Sequence, residues 1–204
     1  RLSVLAPEHK IVALTTMLLL SPHIPLLFMG EEWGERRPFC FFTDFHGDLA
    51  AAVREGRRAE FKKWAAFQDP VRRAQIPDPN EVATFLACVL DWEMPLQSPH
   101  AQRRALVKSL LQVRAQEVVP LLAGMRGRAG HCAMLAAACF QVTWDARDAR
   151  LVMRANLGDT PVIHGSVAGD ATARVIYDSA PGAREGVLPP WSVTVAVARG
   201  PHAG

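Results

Sequence analysis

Glu31 and Glu32 stand side by side in "PLLFMGEEWGERRPFCFFTDF", residues 25–45, with Trp33 next to them and Phe39, Phe41, Phe42, Asp44 and Phe45 close behind. Two neighbouring carboxylates raise the question of acid/base chemistry. Retentive cleavage of a glycosidic bond needs two carboxyl groups about 5 to 5.5 Å apart flanking one bond. Consecutive residues of an extended chain point to opposite faces, so this pair cannot supply both groups. At most one of them faces a pocket; the alternative is that both belong to a solvated acidic loop. Trp33 and the phenylalanines offer flat apolar faces that suit the C–H side of a pyranose, and the same rings suit a loop anchored by packing. Trp33, with its large face and its N–H donor, is the first candidate for stacking. Asp44 either accepts hydrogen bonds from sugar hydroxyls or caps the helix that follows.

Other chemistries find little support. The histidines, His9, His23, His46, His100, His131, His164 and His202, show no H-x-H or H-E-x-x-H spacing, and Cys40, Cys88, Cys132 and Cys139 form no C-x-x-C pair. A metal site is therefore not expected. With 23 basic against 20 acidic residues in 204, the net charge of +3 makes no electrostatic case for nucleic acid. The basic stretch "VREGRRAEFKKW" is interrupted by Glu55 and Glu60 and reads as a solvated helix face. The longest apolar stretch, Ile11 to Leu20, is too short to span a bilayer. No secretion signal is visible, so a cytoplasmic location is expected.

These residues need elements to position them. Pro7 to Leu20 has a proline suited to a first helical turn and a stripe of Ile11, Leu14, Thr15 and Leu18, which predicts a buried helix. Ile24 to Met29 is apolar at every position and closed by Gly30, as in a strand buried on both faces of a parallel sheet. Such a strand delivers Glu31, Glu32 and Trp33 to the carboxyl end of the sheet, where barrel enzymes place their binding groups. Asp48 to Phe67 predicts an amphipathic helix with Leu49, Val53, Phe61, Trp64 and Phe67 on its apolar side and Gly56 as a weak point. A short helix is expected from Glu81 to Leu90. A longer one follows, with Ala105, Leu106, Ser109, Leu110 and Val113 on its buried stripe and Pro120 as its stop. From about Gly130 the period changes to two: Phe140, Val142, Trp144; Leu151, Met153, Ala155, Leu157; Val193, Val195, Val197. Turn signals such as "DARD" and "NLGD" separate these runs, which predicts a β-domain after the linker "LAGMRGRAG".

The stretch "LLLSPHIPLLFMGEEWG" resembles the helix, turn and eighth barrel strand of the α-amylase superfamily of glycoside hydrolases. The following "PFCFFTDFHGDLAAAVREGRRAEF" and "IPDPNEVATFLACVLDW" are similar to the malto-oligosyltrehalose trehalohydrolase family in particular. "VTWDARDARLVMRANLGD" and "VIYDSAPGAREGVLPPWSVTVAV" resemble that family's C-terminal β-domain, so the likeness covers nearly the whole chain. Glycogen branching enzymes share the "LLFMGEEWG" pattern, but the "FFTDF" loop and "VREGRRAEF" weigh against them. A non-catalytic carbohydrate-binding module is the remaining alternative.

The resemblance implies an α/β plus all-β fold. Residues 1–125 would hold the last strand, about 24–30, and helices of a (β/α)8 TIM barrel, and residues 130–204 a C-terminal β-sandwich. It also implies hydrolysis of the α-1,4 bond next to the trehalose end of maltooligosyl trehalose, by a retaining mechanism without cofactor. In the family the three catalytic carboxylates lie on earlier strands. "RLSVLAPEHK" resembles the sequence just after the last of them, so the chain is expected to be a C-terminal fragment, inactive by itself, whose partners are the sugar substrate and the preceding part of its own chain. The expected substrate-binding residues are Glu31, Glu32, Trp33, Phe41, Phe42 and Asp44. None of them is expected to be catalytic.

Overall fold

The computed structural model describes residues 1–65, 68–164, 173–183 and 186–199. Helix α1, Leu2–Leu5, is a single turn, and α2, Glu8–Leu20, follows it. Pro7, with φ −61° and ψ 148°, caps α2, and Glu8 in its first turn complements the helix dipole. Ser21 ends the helix in an extended conformation because the next residue is Pro22.

The buried side of α2 is Ile11, Ala13, Thr16, Leu19 and Leu20, whereas Leu14 is 42% and Leu18 36% exposed. The expected stripe through Leu14, Thr15 and Leu18 is therefore rotated. Leu14 and Leu18 are as apolar as Leu19 and Leu20, so the sequence alone does not mark which side is covered. Ile24–Met29 departs further from expectation, because it forms no strand: Ile24 is 94% and Leu26 85% exposed, and only Leu27 joins the core. A parallel strand is held by hydrogen bonds to its neighbours, and no neighbouring strand flanks this segment among the described residues.

Helix α3 spans Gly47–Phe61 and carries the ion pairs Arg57–Glu60 at 2.7 Å and Arg58–Glu55 at 3.4 Å, one turn apart. It buries no residue fully; Leu49 stays 54% exposed, and Trp64, just beyond its end, 60%. Phe67 lies outside the described residues. The short helices α4, Pro70–Ala74, and α5, Val82–Cys88, lead through a 3-10 turn at Met94–Leu96 to α6, His100–Val113. The buried line of α6 and its continuation is Arg103, Val107, Leu110, Arg114 and Val118. Ala105 and Ser109, expected inside, are exposed, and two arginines occupy the inner face instead. Pro120 does not stop the helix. A π turn at Arg114–Val118 precedes it, with Val119 N–H donating to the Arg114 carbonyl, and α7 runs on over Val119–Leu122 with Pro120 in its first turn, where an N–H has no intrahelical partner.

The C-terminal region forms a five-stranded antiparallel sheet in the order β1-β2-β3-β7-β5, with β1 at Gly130–Ala136, β2 at Cys139–Asp145, β3 at Ala149–Asn156, β5 at Ala173–Asp178 and β7 at Ser192–Arg199. A ribbon of β4, Val162–Ile163, and β6, Val187–Leu188, stands beside it. Across the sheet, Val142 faces Met153 and Met153 faces Val195, while Trp144 faces Leu151 and Leu151 faces Val197. The alternation read from the sequence thus places these side chains on one face. The layer that covers them is helical, however. They share one core with Ala13, Leu19 and Leu20 of α2 and Val107 and Leu110 of α6. Among the described residues the expected sandwich is a sheet packed on helices, with the second sheet reduced to the β4–β6 ribbon. Full burial is worth about 1.5 to 3 kcal/mol per large aliphatic side chain, so this shared core joins the helical and sheet regions firmly.

Polar contacts reinforce the joint. Lys10 lies 4.3 Å from the Trp191 ring centroid, and the Trp191 indole donates to Asp159 at 2.8 Å. At the "NLGD" turn, the buried Asn156 amide donates to the carbonyls of Thr160, Leu188 and Pro189, and its oxygen accepts from Gly158 N–H at 3.0 Å.

Candidate sugar-contact site

The residues after the extended segment form a tight double turn. Gly30 has φ +88°, and its carbonyl accepts from Glu35 N–H at 2.8 Å. A β-carbon on Gly30 would meet that of Glu35 at 2.6 Å, so only glycine fits. Glu35, which escaped the sequence reading, organises this turn. Its carboxylate is 1% exposed and accepts from Arg36 N–H at 2.8 Å, Arg37 N–H at 2.9 Å and Asp91 N–H at 2.8 Å. Burial pushes this carboxyl up, but the N–H groups of Arg37, Asp91 and Arg36, with the Arg1 charge, outweigh burial and hold it below the ordinary carboxylate range.

Glu31 and Glu32 are both half-buried. Glu31 turns back to accept Phe28 N–H at 3.1 Å and borders a groove of about 90 Å³ that includes Leu14, Leu18 and Leu27. The side of α2 expected in the core therefore lines this groove. Trp33 is 4% exposed, packs at 5.5 Å on Trp92, and its carbonyl bonds His100 Nδ1 at 2.8 Å. In this structure the Trp33 ring is packed rather than open to solvent. The outer ring of the pair, Trp92, is 68% exposed and is the face open to solvent. Trp92 was visible in "LDW" but carried no spacing signal that set it apart.

Phe41, Phe42 and Asp44 lie on the loop before α3. Phe42 sits edge-on between Phe39 at 5.9 Å and Phe85 at 5.3 Å, and Phe39 meets Phe28 at 5.0 Å. This edge-to-face series connects the segment leading to Glu31 with the aromatic loop, each pair contributing about 0.5 to 1.5 kcal/mol beyond area. Phe41 is 48% exposed, with the Arg57 guanidinium 5.4 Å from its centroid. Asp44 is exposed and 3.8 Å from His46 Nε2. It does not cap α3, whose N-cap is His46 without a side-chain bond. The structure thus links Phe42 to the Glu31 turn through rings, leaves Phe41, Asp44 and Trp92 open, and buries Trp33. Among the described residues no group of His, Cys, Asp and Glu side chains could hold a metal ion, and no helix is long and apolar enough to cross a membrane.

Comparison with known proteins follows the same outline. A family profile described as "Domain of unknown function (DUF3459)" matches residues 127–195, the sheet region. Malto-oligosyltrehalose trehalohydrolase from Arthrobacter ramosus is 40% identical over 117 residues, which is 57% of this chain and 20% of that protein. The protein of the same name from Deinococcus radiodurans is 40% identical over 101 residues, 50% of this chain and 16% of that one. A solved structure from Salmonella typhimurium, described as a candidate α-amylase, superposes with a TM-score of 0.86 at 38% identity, over 98% of this chain and 32% of that one. The chain therefore spans about a fifth of the length of the curated relatives it matches. The chain is thus similar over about half its length to part of the malto-oligosyltrehalose trehalohydrolases, and over almost all of it to part of the Salmonella typhimurium structure.

Proposed function

We propose that this chain is the C-terminal portion of a glycoside hydrolase that cleaves the α-1,4-glucosidic bond next to the trehalose end of maltooligosyl trehalose, releasing trehalose with retention. The observation that carries this reading is the 40% identity to proteins named for that activity. In this reading the nucleophile and the general acid/base belong to the preceding part of the barrel, and this chain supplies sugar contacts. One of Glu31 and Glu32 accepts hydrogen bonds from sugar hydroxyls, Asp44 does the same from the loop, and Phe41 and Phe42 present apolar faces. Trp33 acts by backing Trp92. The Ile24–Met29 segment pairs with neighbouring strands of the barrel, which would cover the exposed Ile24, Leu26, Leu14 and Leu18. A sheet supplies hydrogen bonds and apolar cover of this kind. The site works without a cofactor.

The test is trehalose release from maltooligosyl trehalose by the full-length gene product, beside the same assay on residues 1–204 alone. Trehalose release by the former and none by the latter supports the reading. Transfer of glucan segments without hydrolysis, or turnover by the 204-residue chain abolished in Glu31→Gln or Glu32→Gln, overturns it.

A further inference from the structure

Asn80, in the "PDPN" turn before α5, makes four side-chain hydrogen bonds, to the aromatic loop, to α3 and within its own turn. Its Oδ1 accepts from the Thr43 hydroxyl at 2.9 Å and from Phe45 N–H at 3.1 Å. Its amide nitrogen donates to the Ala50 carbonyl at 3.2 Å and to Asp78 Oδ1 at 3.4 Å. Phe45 N–H can only donate and the Ala50 carbonyl can only accept, so the amide has one possible orientation. Both hydrogens and both acceptor sites are used.

The backbone strengthens the same joint. Thr43 N–H donates to the Pro79 carbonyl at 2.8 Å, and Asn80 N–H donates to Asp78 Oδ1 at 3.0 Å. Asp78 is itself held by Arg54 Nη1 at 2.9 Å, and its carbonyl by the Thr84 hydroxyl at 2.6 Å. One amide therefore ties the aromatic loop at two points to α3 and to the turn before α5. The pinned residues, Thr43 and Phe45, bracket Asp44 and follow directly on Phe41 and Phe42. A loop fixed before its ligand arrives loses less conformational freedom on binding.

We propose that Asn80 is a positioning residue for sugar recognition: by pinning Thr43 and Phe45 it holds Phe41, Phe42 and Asp44 in the arrangement that meets the glucan chain. The inference rests on the functional reading above, in which this loop contacts sugar.

Two substitutions in the full-length gene product test it. Asn80→Asp keeps the shape, but turns an oxygen toward the Ala50 carbonyl and sets a second negative charge against Asp78, a repulsion that drives the side chain out of its contacts with Thr43 and Phe45. Thr43→Val removes a single hydroxyl and guards against loss of fold. Two quantities are read: the hydrogen-exchange rate of the Phe45 amide, and kcat and KM for trehalose release. In Asn80→Asp, Phe45 exchange and KM should each rise about tenfold, the scale of one hydrogen bond, with kcat within about twofold. Thr43→Val should give a smaller change in the same direction. Unchanged Phe45 exchange in both variants overturns the pin. Faster exchange with unchanged KM overturns the sugar role while trehalose release by the unmodified protein upholds the proposed activity. No trehalose release by the unmodified protein overturns that activity and the sugar role together, and the exchange rates still decide whether Asn80 holds the loop.

Discussion

The guanidinium of Arg114, on the π turn after α6, donates to the Leu19 carbonyl at the end of α2 at 2.9 Å. It also donates to the Ser21 carbonyl and, at 2.8 Å, to that of His23. A helix leaves its last four carbonyls without intrahelical partners. Here a buried arginine from the neighbouring helix takes that role and fixes where the chain departs toward Ile24.

Arg114→Met should accordingly destabilise the protein by about 3 kcal/mol, because it strands buried carbonyls that had charged donors. Arg114→Lys should cost less but remain destabilising, since an ammonium cannot reproduce the planar fork. Urea unfolding of the three proteins measures this, and equal midpoints for all three would show that the contact adds nothing.

Arg114 also marks the limit of what the sequence made legible. The strands could be read because Phe140, Val142 and Trp144, or Leu151, Met153 and Ala155, alternate with residues on the other face, and period two has one solution per strand. The inner face of α2 could not, because Leu14 and Leu18 are as apolar as Leu19 and Leu20, and only the packed sheet decides between them. Arg103 and Arg114 look like surface residues in a string of letters. Their burial depends on partners about 90 residues away, Glu8 for one and the Leu19–His23 carbonyls for the other. In the site, Glu31, Trp33 and Phe41 drew attention by residue type. Glu35 and Asn80 bind backbone groups, and backbone groups leave no pattern in a sequence.

Glycine substitutions separate backbone strain from steric fit. Gly30→Ala meets both a φ of +88° and the Glu35 β-carbon, so it should cost about 2 kcal/mol or more. At Gly47 φ is +57° with nothing within 4 Å of an added β-carbon, so Gly47→Ala should cost about 1 kcal/mol. Gly56 lies inside α3 with open space around it, and Gly56→Ala should stabilise by about 0.5 to 1 kcal/mol. Thermal unfolding of the three variants checks the order, and a stabilised Gly30→Ala protein would contradict the described turn.

Acid should loosen the Glu31 turn through Glu35. Its carboxyl is held lower in the folded than in the unfolded chain, so the folded state favours the ionised form. That contribution is complete above the unfolded pKa and is lost as pH falls through the folded one, which places the loss below the ordinary carboxylate range. Glu35→Gln removes the titration and turns a donor toward N–H groups that need acceptors. The variant should be less stable at pH 7, and the gap to the unmodified protein should narrow as pH falls toward 3. Unfolding free energies across that range test this; a gap that stays constant with pH would mean that Glu35 is not the titrating group.

The tryptophan pair has one buried ring and one ring open to solvent. Trp33 is buried against Trp92 and bonded to His100 through its carbonyl, so Trp33→Ala removes a large core side chain and should cost about 3 to 5 kcal/mol in stability. Trp92 has most of its surface in solvent, so Trp92→Ala should change stability by no more than about 1 kcal/mol. If the open face of Trp92 stacks on a glucose ring, its removal from the full-length gene product should lower kcat/KM for maltooligosyl trehalose about tenfold. A stacking contact equally strong in the ground and transition states raises KM alone, whereas one that tightens as the ring flattens lowers kcat. Trp33→Phe keeps an aromatic ring behind Trp92 and should retain most of the activity in whatever fraction stays folded. Thermal unfolding and steady-state kinetics on the same preparations separate the two roles. A stable, fully folded Trp92→Ala protein with unchanged kcat/KM would remove Trp92 from the substrate contact, and a Trp33→Ala protein of undiminished stability would remove Trp33 from the core.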